Sequence, residues 1–220
     1  MLKRWLLYIA SVGVGLAVVG ALLGAFVLAL LWPTLPPLDA LTDYQPKIPL
    51  RIVTADGDLL GEFGEERRAI IRIGEVPDVM KHAILAAEDE RFYQHGGVDY
   101  LSVLRAAAAN VTSGTQQGAG TITMQVARNF FLTREKTVTR KLREVLLAWK
   151  IEANLSKDEI LQLYVNQIFL GQRAYGFAAA SQIYFGKSLK DVTPAEAAML
   201  AGLPKAPSAY NPVVNPKRAK

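Results

Sequence analysis

The chain has 220 residues, with 25 Lys+Arg against 20 Asp+Glu for a formal net charge of +5, and a positive mean hydropathy. It contains no Cys and two His, which excludes a disulfide scaffold, a thiolate-held zinc or iron–sulfur site, a thiol nucleophile and a His-rich metal centre. At 51% hydrophobic and 20% charged it is not a disordered chain; its length fits one domain plus an appendage, and its modest, dispersed charge makes no case for nucleic acid.

The first element is apolar. No charged residue occurs between Trp5 and Trp32. At about 1.5 Å per helical residue this segment exceeds the roughly 30 Å hydrocarbon core of a bilayer, so residues 5–32 are read as one transmembrane helix. Trp5, Tyr8 and Trp32 stand near its ends, where amphipathic rings favour the membrane interface. Lys3 and Arg4 place residues 1–4 in the cytoplasm and export everything after Pro33. The alternative, a cleaved signal peptide, carries an apolar region of only about 7–15 residues, so an uncleaved anchor is preferred.

Residues 33–50 read as a Pro-rich stalk without helix or sheet, marked by Pro33, Pro36, Pro37, Pro46 and Pro49. Residues 51–76 read as a small β element. Leu50–Thr54 and Leu59–Phe63 flank the hairpin signal Asp56-Gly57, and Ala69–Ile73 is expected to add a third strand. From residue 77 to 212 the Ala/Leu/Ile pattern is helical, and 213–220 form a tail. The fold class expected is mainly α with a small β element.

The first helix of this region is expected from Asp78 to His95. At about 100° per residue, Ile84, Leu85, Glu88, Phe92 and His95 fall in one sector, so Glu88 is placed among interior-facing residues. Burial raises a carboxyl's pKa, which suits a group that takes up a proton near neutral pH. A structural Glu satisfied by Arg91 or His95 is the equal alternative. Apolar residues between Tyr100 and Val111 are expected to pack in the core, a dip into the membrane interface being the alternative.

A Gly-rich run, Gly114 to Gly120, precedes a helix expected from Thr121 to Leu132. Thr121, Gln125, Arg128 and Asn129 share one stripe of it, and free N–H groups at its start favour an anion. An ordinary amphipathic helix after a surface loop is the alternative. The next helix, Val138 to Asn154, has an apolar face of Val138, Leu142, Val145, Leu146 and Trp149. Leu147 and Ile151 lie opposite with Arg140 and Glu144, which are spaced to pair. Burial on both sides is expected. Capping boxes at Ser156–Glu159 and Thr193–Glu196 open two more helices, ending at Gly171 and near Gly202-Leu203-Pro204.

Five segments carry a resemblance. Glu88-Asp89-Glu90-Arg91-Phe92-Tyr93-Gln94-His95-Gly96-Gly97 resembles the EDxxFxxHxG signature of peptidoglycan glycosyltransferases. Gly118 to Gln125, running on to Arg128-Asn129, is similar to their second motif, and Arg140-Lys141-Leu142-Arg143-Glu144 to RKxxE. Lys157 to Asn166 with Gly171 is similar to the fourth motif. Ala178 through Tyr184-Phe185-Gly186-Lys187 to Leu203-Pro204-Lys205-Ala206-Pro207 is similar to the fifth. The wording of the last two is closest to the N-terminal half of class A penicillin-binding proteins of the 1A type. No SxxK, SxN or KTG motif occurs, so transpeptidation and penicillin binding are not expected of this chain. It is read as a truncated bifunctional protein, with a natural monofunctional relative as the alternative. The family's second motif usually reads GxSTIxxQ, and Gly120 occupies the Ser position here.

The resemblance implies a lysozyme-like glycosyltransferase domain that polymerises lipid II into β-1,4 glycan strands and releases undecaprenyl diphosphate. It implies Glu88 as the general base and Glu144 as a second carboxylate. Arg128, Lys136 and Lys141 would receive the diphosphate, with Arg140 pairing Glu144. Thr121, Gln125 and Asn129 would position phosphates, and Asp89, Phe92, His95, Tyr164 and Asn166 would help bind substrate. No organic cofactor is expected; a divalent cation (Mg or Mn) at Glu144 is compatible with the family. Lipid II, the growing strand, the membrane and other cell-wall synthesis proteins are the expected partners, at the outer face of the bacterial inner membrane. A lysozyme-like hydrolase or lytic transglycosylase, and an inactive membrane scaffold, are the alternatives.

Overall fold

The computed structural model describes residues 2–42, 50–57, 59–64, 66–113, 118, 120–133 and 137–217. The chain divides into two compact units, Met1–Pro37 and Leu38–Lys220. The first is one helix, α1 (Leu2–Leu31), followed by a 3₁₀ turn at Trp32–Thr34. From Leu7 to Leu30 every residue of α1 is exposed, and Leu7–Thr34 is long and apolar enough to cross a membrane. Aliphatic side chains open along a whole helix surface suit lipid as solvent rather than water.

The second unit begins with a four-residue helix, α2 (Asp39–Thr42). The stretch expected to lack helix therefore contains one, with Asp39 in its first turn facing the positive end of the helix dipole. Pro46 and Pro49 lie outside the described residues. Strands β1 (Leu50–Val53) and β2 (Leu59–Phe63) form the expected antiparallel hairpin, pairing Leu50 with Phe63 and Ile52 with Gly61. Gly57 at φ +92° makes the turn, a conformation that costs an L side chain strain.

The expected third strand at Ala69–Ile73 does not form. Instead β3 (Arg67–Arg68) pairs in parallel with the distant β4 (Ala174–Tyr175), and Ile73–Glu75 is a 3₁₀ turn. Arg68 explains the shift. It is buried, donates to the Gln167 side chain at 2.8 Å and to Glu66 at 2.7 Å, and lies 4.5 Å over the Tyr175 ring. Those bonds require Arg67–Arg68 to lie beside β4.

The remainder is helical: α3 (Asp78–Glu88), α4 (Tyr100–Ser113), α5 (Ile122–Phe131), α6 (Val138–Glu152), α7 (Lys157–Gln167), α8 (Phe177–Phe185) and α9 (Pro194–Gly202). The capping boxes at Ser156 and Thr193 are both present, and α9 ends where its Gly-Leu-Pro signal places the stop. α7 ends at Gln167, short of Gly171, which turns the chain at φ +87° three residues after the cap. Helix α5 is the centre. It is buried from Ile122 to Ala127 and packs against α6 and α7, while α3 packs against α9.

Three helical expectations change. α3 ends at Glu88, and Phe92–Gln94 is a separate 3₁₀ turn, so Phe92 and His95 do not extend Glu88's helical face. On α6 the expected burial on both sides holds only for the second half, where Glu144, Leu146, Leu147, Ala148 and Ile151 are buried and Val145 and Trp149 pack against the core, whereas Val138 and Leu142 of the expected apolar face are exposed. Tyr100, Leu101, Leu104 and Val111 of α4 are exposed as well, against the expected core packing.

Gly97 ties the segment after α3 to α6. At φ +94°, a β-carbon there would meet the Ala148 backbone at 3.0 Å, so only glycine allows this approach. Gly97→Ala is expected to lower unfolding free energy by about 1–3 kcal/mol. The urea midpoint of the detergent-solubilised chain measures it.

Candidate active site

Residue 89 breaks the helix and builds the site. Asp89 leaves helical geometry at φ −161° and ψ 74°. Its buried carboxylate accepts the backbone N–H of Ile122 at 3.0 Å and bonds His95 Nε2 at 2.9 Å. A carboxylate at the first residue of α5 also meets the positive end of that helix. Thr121 caps the same helix, accepting Met124 N–H at 3.2 Å and donating to the Gly97 carbonyl at 2.6 Å. The end of α3 is thereby locked to the start of α5. Glu88 then meets Gln125, one turn into α5, which donates to Glu88 Oε2 at 2.5 Å.

Burial raises the Glu88 carboxyl above the ordinary glutamate value, while the Gln125 bond and the Arg128 charge oppose the rise. Asp89 adds to it, and Lys205 opposes it. Glu88's hydrogen-bond partner is thus Gln125; Arg91 pairs with Asp99 and His95 with Asp89.

Glu144 is 1% exposed on α6. Arg140, one turn earlier, donates to its Oε1, and Lys141 donates to Oε2 at 3.0 Å. Arg128 of α5 stands 4.0 Å from the same carboxylate. Arg128 therefore lies between the two acids. With both Glu144 oxygens held by cations, the residues there do not fit a divalent metal ion. Among the described residues no group of three or more His, Asp or Glu is placed to hold one.

Two hollows meet at Glu88. A cleft of about 550 Å³ is lined by Glu88, Gln125, Arg128, Gly120, Pro204 and Lys205. A smaller polar one, about 210 Å³, shares Glu88, Gly118 and Gly120 with it and extends to Ser102 and Arg105. Gly120 is exposed, and among the described residues nothing lies within 4 Å of where its β-carbon would be.

The other expected site residues lie as follows. Tyr164 is 1% exposed, and its hydroxyl has no hydrogen-bond partner among the described residues. Burial holds that phenol well above its ordinary value, the Glu88 charge adding and Arg128 opposing, so it stays neutral. Phe92 is fully buried with the Lys157 ammonium 4.3 Å over its ring. Asn166 is buried and holds both backbone groups of Ile71. Asn129 is exposed on α5 beside Arg128, and Lys136 lies outside the described residues. Glu88, Gln125, Arg128, Arg140, Lys141 and Glu144 are thus brought together, Thr121 both caps α5 and lines the smaller hollow with Asp89, and Phe92 and Asn166 are engaged in holding the fold. Lys205 and Arg105 reach the hollows without having been expected there. Lys205 stood in the last motif, but no local spacing links it to Glu88.

Removing Glu144 leaves Arg140 partly buried without its carboxylate, while Lys141 and Arg128 keep contact with water, so the cost is below that of stranding a fully buried charge. Glu144→Ala is expected to destabilise the fold by about 1–3 kcal/mol, read as a lowered urea midpoint.

A family model described as Transglycosylase matches residues 56–220. Penicillin-binding protein 1A of Neisseria gonorrhoeae is 59% identical over 221 residues, covering 100% of this chain and 28% of that protein. Penicillin-binding protein 1A of Pseudomonas aeruginosa is 56% identical over 188 residues, covering 85% of this chain and 23% of that one. A crystal structure of penicillin-binding protein 1A from Haemophilus influenzae covers 80% of this chain and 17% of its own, at 32% identity and a TM-score of 0.41, a superposition too loose to bear on the fold. The chain thus spans well under a third of the length of these relatives. The family match runs over most of its residues and contains the whole Glu88–Arg128–Glu144 arrangement, and the chain belongs to the transglycosylase family.

Proposed function

We propose that this chain is a peptidoglycan glycosyltransferase that polymerises lipid II at the outer surface of the bacterial inner membrane. The observation that carries the reading is Glu88: a half-buried carboxylate held by Gln125 at the border of two hollows, with Arg128 beside it. Glycosyl transfer joins two sugars, so its base must touch two binding spaces at once.

Glu88 takes the proton of the acceptor 4-hydroxyl as that oxygen attacks the donor anomeric carbon. The new C–O bond forms as the bond to the lipid diphosphate breaks, and the α-linked donor becomes a β-linked product. General-base assistance of this kind contributes roughly 10²–10⁴ in rate. The leaving diphosphate develops negative charge, and Arg128, which lines the cleft with Glu88, and Lys141, held beside it on Glu144, are the cations that would receive it, Arg140 being paired to Glu144. Buried Tyr164 feels both the Glu88 and Arg128 charges and stays neutral.

The apolar α1 supports an anchor that confines enzyme and lipid substrate to one plane, with the N-terminus in the cytoplasm. The exposed Tyr100, Leu101 and Leu104 of α4 support a bilayer-facing side of the catalytic unit. Other cell-wall synthesis proteins are proposed partners.

Purified chain and labelled lipid II test the assignment. Glycan ladders are expected from wild type and a loss of about 10²-fold or more in Glu88→Gln. A base must be ionised, and burial raises its pKa. The acid limb of kcat/KM is therefore expected above the ordinary glutamate value of 4.5. Degradation of preformed sacculi would instead mark a hydrolase, and neither activity a scaffold.

Gly120→Ser places a hydroxyl in open space at the rim of both hollows. A further donor to a phosphate is expected to raise kcat/KM roughly 2–10-fold. An unchanged rate would show that this position does not reach substrate.

A further inference from the structure

Lys205 ends the short 3₁₀ turn Leu203–Lys205 that follows α9. Because α9 packs on α3, this turn stands beside the last residue of α3, and Pro204 and Lys205 form part of the wall of the cleft that contains Glu88 and Arg128. Lys205 is exposed, and its ammonium makes no hydrogen bond or ion pair among the described residues.

The groups that face Glu88 come from every neighbouring element: Asp89 next in sequence, Gln125 and Arg128 from α5, Tyr164 from α7 and Lys205 after α9. Glu90, Asp99 and Arg105 also line the smaller hollow, where Asp99 is paired with Arg91 at 2.5 Å and Arg105 donates to Ser102 at 3.0 Å. Asp89 repels a second negative charge, and Tyr164 is neutral. Of the two cations among the described residues that line the larger cleft, Arg128 is shared with Glu144 at 4.0 Å. Lys205 has no second carboxylate to serve.

We propose that Lys205 is a positioning residue of this site: its ammonium keeps Glu88 ionised, as a base must be, while Arg128 is drawn to Glu144 and to the departing diphosphate. The inference rests on the polymerase reading. Lys205 gives up no proton; the acceptor's proton goes to Glu88 alone. An ammonium that lines the same cleft as a carboxylate favours its ionised form, so removing the ammonium raises the carboxyl's midpoint.

The test uses the full chain in detergent with Lys205→Met, Lys205→Gln as a second neutral variant, and Lys205→Arg. Carboxyl ¹³C NMR, with the Glu88 signal assigned through Glu88→Gln, reads the midpoint without turnover. Both neutral variants are expected to move it up, and Lys205→Arg to restore it. The acid limb of kcat/KM on lipid II is expected to shift in parallel, so the loss deepens as pH falls. An unmoved Glu88 midpoint overturns the proposal, as does a loss equal at every pH or confined to KM. Failure of the polymerase reading looks different: wild type makes no glycan, or Glu88→Gln makes as much as wild type, whatever the NMR midpoint does.

Discussion

The Asp89 carboxylate at the first N–H of α5 is the constraint from which the site follows. A helix that continued to His95 would carry Glu88 past α5 on a straight rod. By leaving the helix at residue 89 and accepting from Ile122, the chain joins two helix ends at one point. Glu88 and Gln125 then face each other from adjacent elements. His95 and Thr121 brace the junction from either side, the first through Asp89 and the second through the Gly97 carbonyl. Gly97 matters for the same reason, since its missing side chain lets that junction sit against α6.

Charge is arranged around this junction in two layers. Glu144 is almost completely buried and is matched by Arg140 and Lys141 on its own helix. Arg128 reaches it from α5 and remains 43% exposed, facing the cleft. An isolated buried carboxylate would be costly, and isolated cations would be mobile; together they form a fixed positive surface beside Glu88, whose charge is only partly balanced. Such a surface suits an anion that arrives with substrate and leaves with product.

Much of the local architecture was legible in the residues. Asp56-Gly57 between two β-rich runs specified a hairpin, and the Ser156 and Thr193 boxes specified two helix starts, because turns and caps are decided by bonds within a few residues. The pairing of Arg140 with Glu144 was legible for the same reason. The expectations that changed depend on distant partners. β3 forms at Arg67–Arg68 because Arg68 finds Gln167 and Tyr175. α3 stops at Glu88 because Asp89 finds Ile122. The exposed apolar residues of α4 depart from the expectation of core packing, because which face of a helix is covered depends on what distant segments pack against it.

The sequence by itself determined the apolar anchor helix, the caps, the hairpin, the family motifs and the identity of the two acids, since each is carried by residue type and short spacing. Only the tertiary structure decided which motif residues reach a cleft. Phe92 and Asn166 turn inward to pack and tether, Thr121 caps α5 while lining the smaller hollow, and Lys205 is brought beside Glu88 by the packing of α9 on α3. The physical reason is that a side chain's role follows from what competes for it. That competition is settled only when segments far apart in the chain come into contact.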